Sequence, residues 1–185
     1  MDRDHEVEGL MIVAKLMCAA ARTAPKGRGM DLLETAILTG DDKNRVADKM
    51  REIGTEVKQP FFIRDADNLN ASPAAVLLGT RLKPMGLDFY CQMCGHKTCK
   101  ETEQAGSVCI FNSNDLGIAT GSAVAVAARH HIDCRIMYTI GIAARDLGLM
   151  GNDVRIAMGI PLSVTGKNVF FDREKKKKNE EEEKK

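Results

Sequence analysis

The chain is 185 residues long, enough for one domain with its own core and no need of disulfide staples. Aromatic residues make up only 4% and Trp is absent, so that core has to be built from Ala, Val, Ile, Leu and Met. Net charge is +1; residues 173 to 185 hold seven basic and five acidic groups, and the 20 basic and 21 acidic residues elsewhere exclude the electrostatic footprint of a nucleic-acid binder.

The opening stretch, MDRDHEVEG, lacks the basic-then-apolar order of a signal peptide. The longest nearly apolar run, 117 to 128, is too short and too rich in small residues to span a bilayer. A cytoplasmic protein without a membrane partner is therefore expected, and in that compartment thiols stay reduced. Residues 6 to 21 have helical period: Val7, Leu10, Met11, Ala14, Met17, Cys18 and Ala21 form one stripe. Ile12, Val13 and Leu16 are apolar on the other side, which predicts a helix covered on both faces, by its own fold or by a second subunit. Cys18 lies on the stripe and reads as a core thiol.

Pro25, Gly27 and Gly29 end that helix, and 32 to 40 reads as a strand closed by Gly40. Asp41 and Asp42 open an amphipathic helix running to Gly54. Residues 61 to 69 fit either element, and 74 to 82 reads as a buried strand. After the cysteine-rich segment, Asn112, Ser113 or Asp115 can cap a helix over 115 to 132. Its Gly117 and Gly121 each cost about 1 kcal/mol relative to Ala, which predicts a central helix that another backbone approaches closely. A helix over 135 to 149 and a strand over 154 to 164, broken at Pro161, complete a mixed α/β order.

Four of the six cysteines fall within 91 to 109, spaced Cys91-x2-Cys94-x4-Cys99-x9-Cys109. The x2 interval lets two thiolates face one ion or cluster edge, and Gly95 permits the backbone reversal. Backbone N–H groups in such loops point at the sulfurs and favour their negative charge. Three bunched ligands and one distant favour an iron–sulfur cluster over zinc, which remains the alternative metal. His96 is not needed as a ligand, and Cys134, next to His130 and His131, reads as structural.

The motifs CQMCGHKTCKETEQAGSVCIF, DLGIATGSAVAVAA and AMGIPLSVTGKNVFFDR together resemble uncharacterised prokaryotic proteins described as containing a ferredoxin domain. The likeness covers nearly the whole chain to Arg173 and implies a 4Fe-4S site at Cys91, Cys94, Cys99 and Cys109. A weaker resemblance is to nitroreductase-like flavoproteins, carried by CAAARTAPKGRGMDLLETAILTG, DLGIATGSAVAVAARHHIDCRI and AMGIPLS. It implies a nitroreductase-like α/β (α+β) fold, a mixed sheet covered by helices, with an FMN phosphate held by Arg22, with Lys26 or Arg28, and by Lys167. The paired-Arg, Ser, Arg string of those proteins is missing.

The expected molecule is one domain over 1 to 173 with its metal segment at 91 to 109, and a charged, disordered tail over 174 to 185. Its expected function is an iron–sulfur redox protein moving electrons between a 4Fe-4S cluster and FMN, working with a redox partner protein and belonging with the oxidoreductases. A zinc-stabilised binding module without catalysis and a flavin-free electron carrier are the alternatives. The apolar first helix and the small-residue helix predict a two-fold homodimer built on both.

Overall fold

Residues 74 to 81 are small or aliphatic almost throughout, and they form the spine of a four-stranded sheet. The computed structural model describes residues 4–171; the expected tail lies outside them. β1 (Leu33–Leu38) pairs with β2 (Ala74–Arg81), β2 with β4 (Val154–Ser163), and β4 with the two-residue β3 (Asp133–Cys134), antiparallel at each step, in the order β1-β2-β4-β3. β2 is buried over all but its last residue because helices cover both sheet faces. Its side chains alternate accordingly: Ala74, Val76 and Leu78 enter one core, Ala75 and Leu77 the other.

Pro161 does not break β4. The pairs Asp133↔Ser163, Cys134↔Leu162 and Met137↔Gly159 share one register, which sets Pro161 opposite Arg135. Gly159 exchanges both backbone hydrogen bonds with Met137, so ladder alternation turns the proline nitrogen toward the same side. The absent N–H costs the β3–β4 ladder one bond, and the β2–β4 ladder none. The helix expected from 135 starts three residues later, because Met137 is still bridged to the sheet.

The first core is closed by α1 (Asp4–Thr23) and α5 (Ile110–Arg129), the second by α2 (Gly40–Glu56), α3 (Pro60–Asn70) and α6 (Tyr138–Asp146). Leu10, Ala14, Met17 and Ala21 of the expected α1 stripe are buried, and Val13, which the helical period sets on the outer side, joins them. Ile12 and Leu16 stay exposed, at 59% and 44%. In α5 the close approach is made by alanines rather than glycines. Ala119, Ala123 and Ala127 sit fully buried in the first core, whereas a side chain at Gly117 or Gly121 would meet nothing within 4 Å. The two glycines therefore mark an open outer face. No helix among the described residues is long and apolar enough to cross a membrane.

Candidate metal centre

The cysteine segment lies between β2 and α5 and has little regular structure of its own. Gly95 sits at φ +81° and its N–H donates to the Gln92 carbonyl at 3.1 Å, the reversal expected next to Cys94. A short helix, α4 (Cys99–Gln104), begins at the third cysteine. Thr98 Oγ1 accepts the Glu101 N–H at 3.2 Å, while Glu101 Oε2 accepts from the Lys97 N–H at 3.0 Å. The T-x-x-E spacing at 98 to 101 is the sequence signal for this helix. Asp88, at φ +45°, accepts the Cys99 N–H at 3.0 Å and ties the first and third cysteine turns together.

All four thiols line one small cavity, with Met85, His96 and Phe111 among its other walls. Cys109 is its buried member and stands at the N-cap of α5, which starts at 110, five residues before the sequence suggests. Asn112 and Asp115 consequently lie inside the first turns of the helix and act at long range instead of capping it. The α5 N-terminus is turned toward the thiols: the Ile110 N–H donates to Cys94 Sγ at 3.4 Å. Unpaired N–H groups and the helix dipole favour negative charge at such a point. Burial pushes the Cys94 thiol up, the Ile110 N–H opposes this, and neighbouring Cys109 and Cys91 push it up further. A crowded thiol that resists ionising, as Cys94 does, is relieved by a shared cation.

Among the described residues, no three His, Cys, Asp or Glu side chains already stand in a metal-binding arrangement. The thiols share a wall, not a closed shell. A tetrahedral zinc with Zn–S near 2.3 Å needs all four sulfurs roughly 3.8 Å apart. A cubane cluster gives each thiolate its own iron and tolerates wider spacing. The donor set fits a cluster in chemistry: four thiols, no disulfide, and a sulfur-directed N–H. His96 bonds Ser107 Oγ at 3.0 Å. Cys18 packs on the first core, where burial pushes its thiol up. Cys134 lies on β3, also raised by burial and then by Asp133. Both match their reading as structural thiols.

Within one chain the expected FMN residues are not gathered at one place. Arg22 Nη1 donates to Asp31 Oδ2 at 2.8 Å and to the Leu33 carbonyl at 2.6 Å. Burial alone would raise the Asp31 carboxyl, but the Arg22 hydrogen bond, the Leu33 N–H and the nearby positive charges hold it below its usual value. Lys26 Nζ donates to the carbonyls of Ala21, Arg22 and Ala24, closing the end of α1. Arg28 Nη1 donates to the Met85 carbonyl at 2.6 Å. The Gly27 N–H of the same loop is held by both oxygens of Asp115 at 3.1 and 3.0 Å. Lys167 comes after Ser163, which ends β4 beside Asp133; the basic loop enters β1 at Leu33, opposite Thr80. Those are opposite ends and opposite edges of the sheet, so one chain does not bring Lys167 to Arg22, Lys26 and Arg28.

What the loop does touch is the cysteine cavity. A Cβ at Gly27 would lie 3.4 Å from both Met85 Sδ and Phe111, two residues of the cavity wall. On the outer side, Phe89, Tyr90 and Met93 flank Cys91 and are 71%, 99% and 65% exposed, an apolar rim on the thiol loop.

A protein of Archaeoglobus fulgidus, named only "Uncharacterized protein", is 43% identical over 181 residues, 93% of this chain and 96% of that one. The family described as "Uncharacterized protein containing a ferredoxin domain" matches residues 105–173, a stretch that includes Cys109 but not the other three clustered cysteines. Among solved structures, the nitroreductase CinD of Lactococcus lactis, in complex with chloramphenicol, aligns with a TM-score of 0.58 at 13% identity, over 88% of this chain and 84% of that one. A BluB-like flavoprotein of Clostridium difficile aligns with a TM-score of 0.54 at 15% identity, over 92% and 86%. The fold is nitroreductase-like.

Proposed function

The chain belongs to the family of proteins described as containing a ferredoxin domain, and from that premise we propose that Cys91, Cys94, Cys99 and Cys109 hold a 4Fe-4S cluster through which it carries electrons. The observation that carries this reading is the single cavity lined by all four thiols at the N-terminus of α5. When bound, such a cluster supplies one-electron transfer at a potential set by charge, hydrogen bonding and exposure. The chain's own part is to orient the sulfurs, to direct the Ile110 N–H at Cys94, and to back the site with Met85 and Phe111. The exposed Phe89, Tyr90 and Met93 rim gives a redox partner protein an apolar contact beside Cys91. Iron and acid-labile sulfide of anaerobically purified protein test the reading: about four of each per chain is expected for the cubane. Zinc near one per chain without sulfide supports the structural zinc module instead.

Flavin has less support than the cluster. Three of the four basic residues expected to hold it are spent on the chain's own carbonyls and on Asp31, and the fourth lies at the far corner of the sheet. That favours the flavin-free electron carrier, a second reading that a flavin absorbance band on the purified protein would overturn.

We also propose a two-fold homodimer. Ile12 and Leu16 of α1 and the Gly117, Gly121, Ala125 and Ala128 side of α5 are exposed on one layer of the molecule. Ala125→Glu is the suitable probe, because Ala125 is exposed within the chain, whereas Ala123 is core. The expected result is a monomer mass by light scattering with an unchanged circular dichroism spectrum. An unmodified protein that already runs as a monomer at micromolar concentration ends this reading.

A further inference from the structure

At the end of the sheet where β1 begins and β2 ends there is an open cleft of ≈ 460 Å³, within the size range of small-molecule sites. Arg81, Lys83 and Arg155 line it against one carboxylate, Asp153, with Leu32 and Leu82 as an apolar wall. The fold positions Arg155 and Lys83 by separate devices. Thr80 pairs with Ile156 but Arg81 pairs with Val154, so Arg155 is the extra residue of a β-bulge. An unbroken ladder would set Arg81 directly opposite Arg155, a like-charge pair; the bulge offsets them and re-aims Arg155. Lys83 is fixed through its backbone. Its N–H donates to Asn112 Oδ1 at 3.0 Å and its carbonyl accepts from Asn112 Nδ2 at 3.1 Å, with Asn112 buried in the first turn of α5.

Two of the three positive charges are not paired within the described residues. Arg81 is the engaged member: its Nε lies 3.3 Å from Glu34 Oε1 and its Nη2 donates to the Asp31 carbonyl at 3.4 Å. Among the described residues, Lys83 Nζ and the Arg155 guanidinium have no carboxylate partner. Three cations gathered in a concave, partly apolar cleft create a field that concentrates anions. Arginine forks match carboxylate and phosphate oxygens two at a time.

We propose that this cleft binds a small organic anion, a carboxylate or phosphate ester carrying an apolar body. Gly106, three residues before Cys109, also lines the cleft and places the ligand beside the cysteine segment. No cysteine lines it, so the proposal stands or falls apart from the cluster.

Calorimetric titration at low salt with phenyl phosphate and with benzoate tests it. Saturable binding of one or both is expected, weakened at least tenfold in the double variant Lys83→Gln/Arg155→Gln and weakened by added salt. Tighter phenyl phosphate identifies a phosphate ester as the ligand class, and tighter benzoate a carboxylate. Arg45→Gln/Lys58→Gln, which removes the same charge elsewhere, should bind as the parent does. No saturable heat with either anion up to about 10 mM, beyond the weak end of specific affinity, overturns the proposal. So does equal binding of benzyl alcohol, or binding unchanged in the cleft variant. Iron content measured on the same samples keeps a failure of the cleft separate from a failure of the cluster.

Discussion

Replacing Cys91, Cys94, Cys99 or Cys109 by serine, one at a time, is expected to abolish the brown chromophore of the proposed cluster and remove most of its iron. Cys18→Ser and Cys134→Ser should retain both. A serine hydroxyl is nearly isosteric with the thiol but is a hard, weakly acidic donor, and cluster iron selects soft thiolate. Cys109→Ser is the most telling of the four. Cys109 is buried at the N-cap of α5, and serine is among the preferred N-cap residues. The substitution should leave the start of the helix intact while removing the ligand, so lost iron cannot be ascribed to a lost fold. Far-ultraviolet circular dichroism of each variant checks that separation. If Cys134→Ser bleaches as fully as Cys91→Ser, the ligand set is wrong.

The gathering of the four thiols is legible because cysteine spacing is a local property: a two-residue gap and a glycine at φ +81° define a loop wherever it is attached. α1 and α2 are legible from their period for the same reason. The misplaced features depend on distant partners. Asn112 and Asp115 look like helix caps in sequence, yet they clamp the Lys83 backbone and the Gly27 N–H, 29 and 88 residues away. Lys43 carries no local signal of its setting: its ammonium is buried on the carbonyls of Leu69, Asn70 and Ser72, where burial lowers its pKa. Arg22, Lys26 and Arg28 beside two glycines read as an anion site, and only the folded chain reveals Asp31 and Asp115 bonded to the same loop. The cleft at Arg81, Lys83 and Arg155 leaves no sequence signal, since a one-residue bulge between strands far apart in the chain has none.

Gly141→Ala carries the largest stability effect expected away from the cysteines. Helix propensity alone favours alanine over glycine by about 1 kcal/mol. Packing argues the other way: α6 lies flat on β4, and a methyl at Gly141 would run into the Ala157 carbonyl group and approach the Met158 nitrogen to 2.8 Å. The contact is closed from both sides, because a methyl at Gly159 would strike Ile140. These obstacles at Gly141 are backbone atoms of a strand paired through much of its length, so they cannot swing aside as the end of a side chain can. The helix has to lift, and the second core, with Ile140, Ala143 and Ala144 fully buried, loosens with it. Overpacking wins, with an expected net loss of about 3 kcal/mol. At roughly 2–4 °C per kcal/mol for a chain of this size, the unfolding midpoint should fall by roughly 6–12 °C. Gly9→Ala, in α1 with nothing within 4 Å, supplies the opposite sign and should raise stability by a few tenths to about 1 kcal/mol. Thermal unfolding of the two variants beside the parent decides the matter, and a Gly141→Ala protein as stable as the parent would mean that α6 does not rest on β4 at backbone contact.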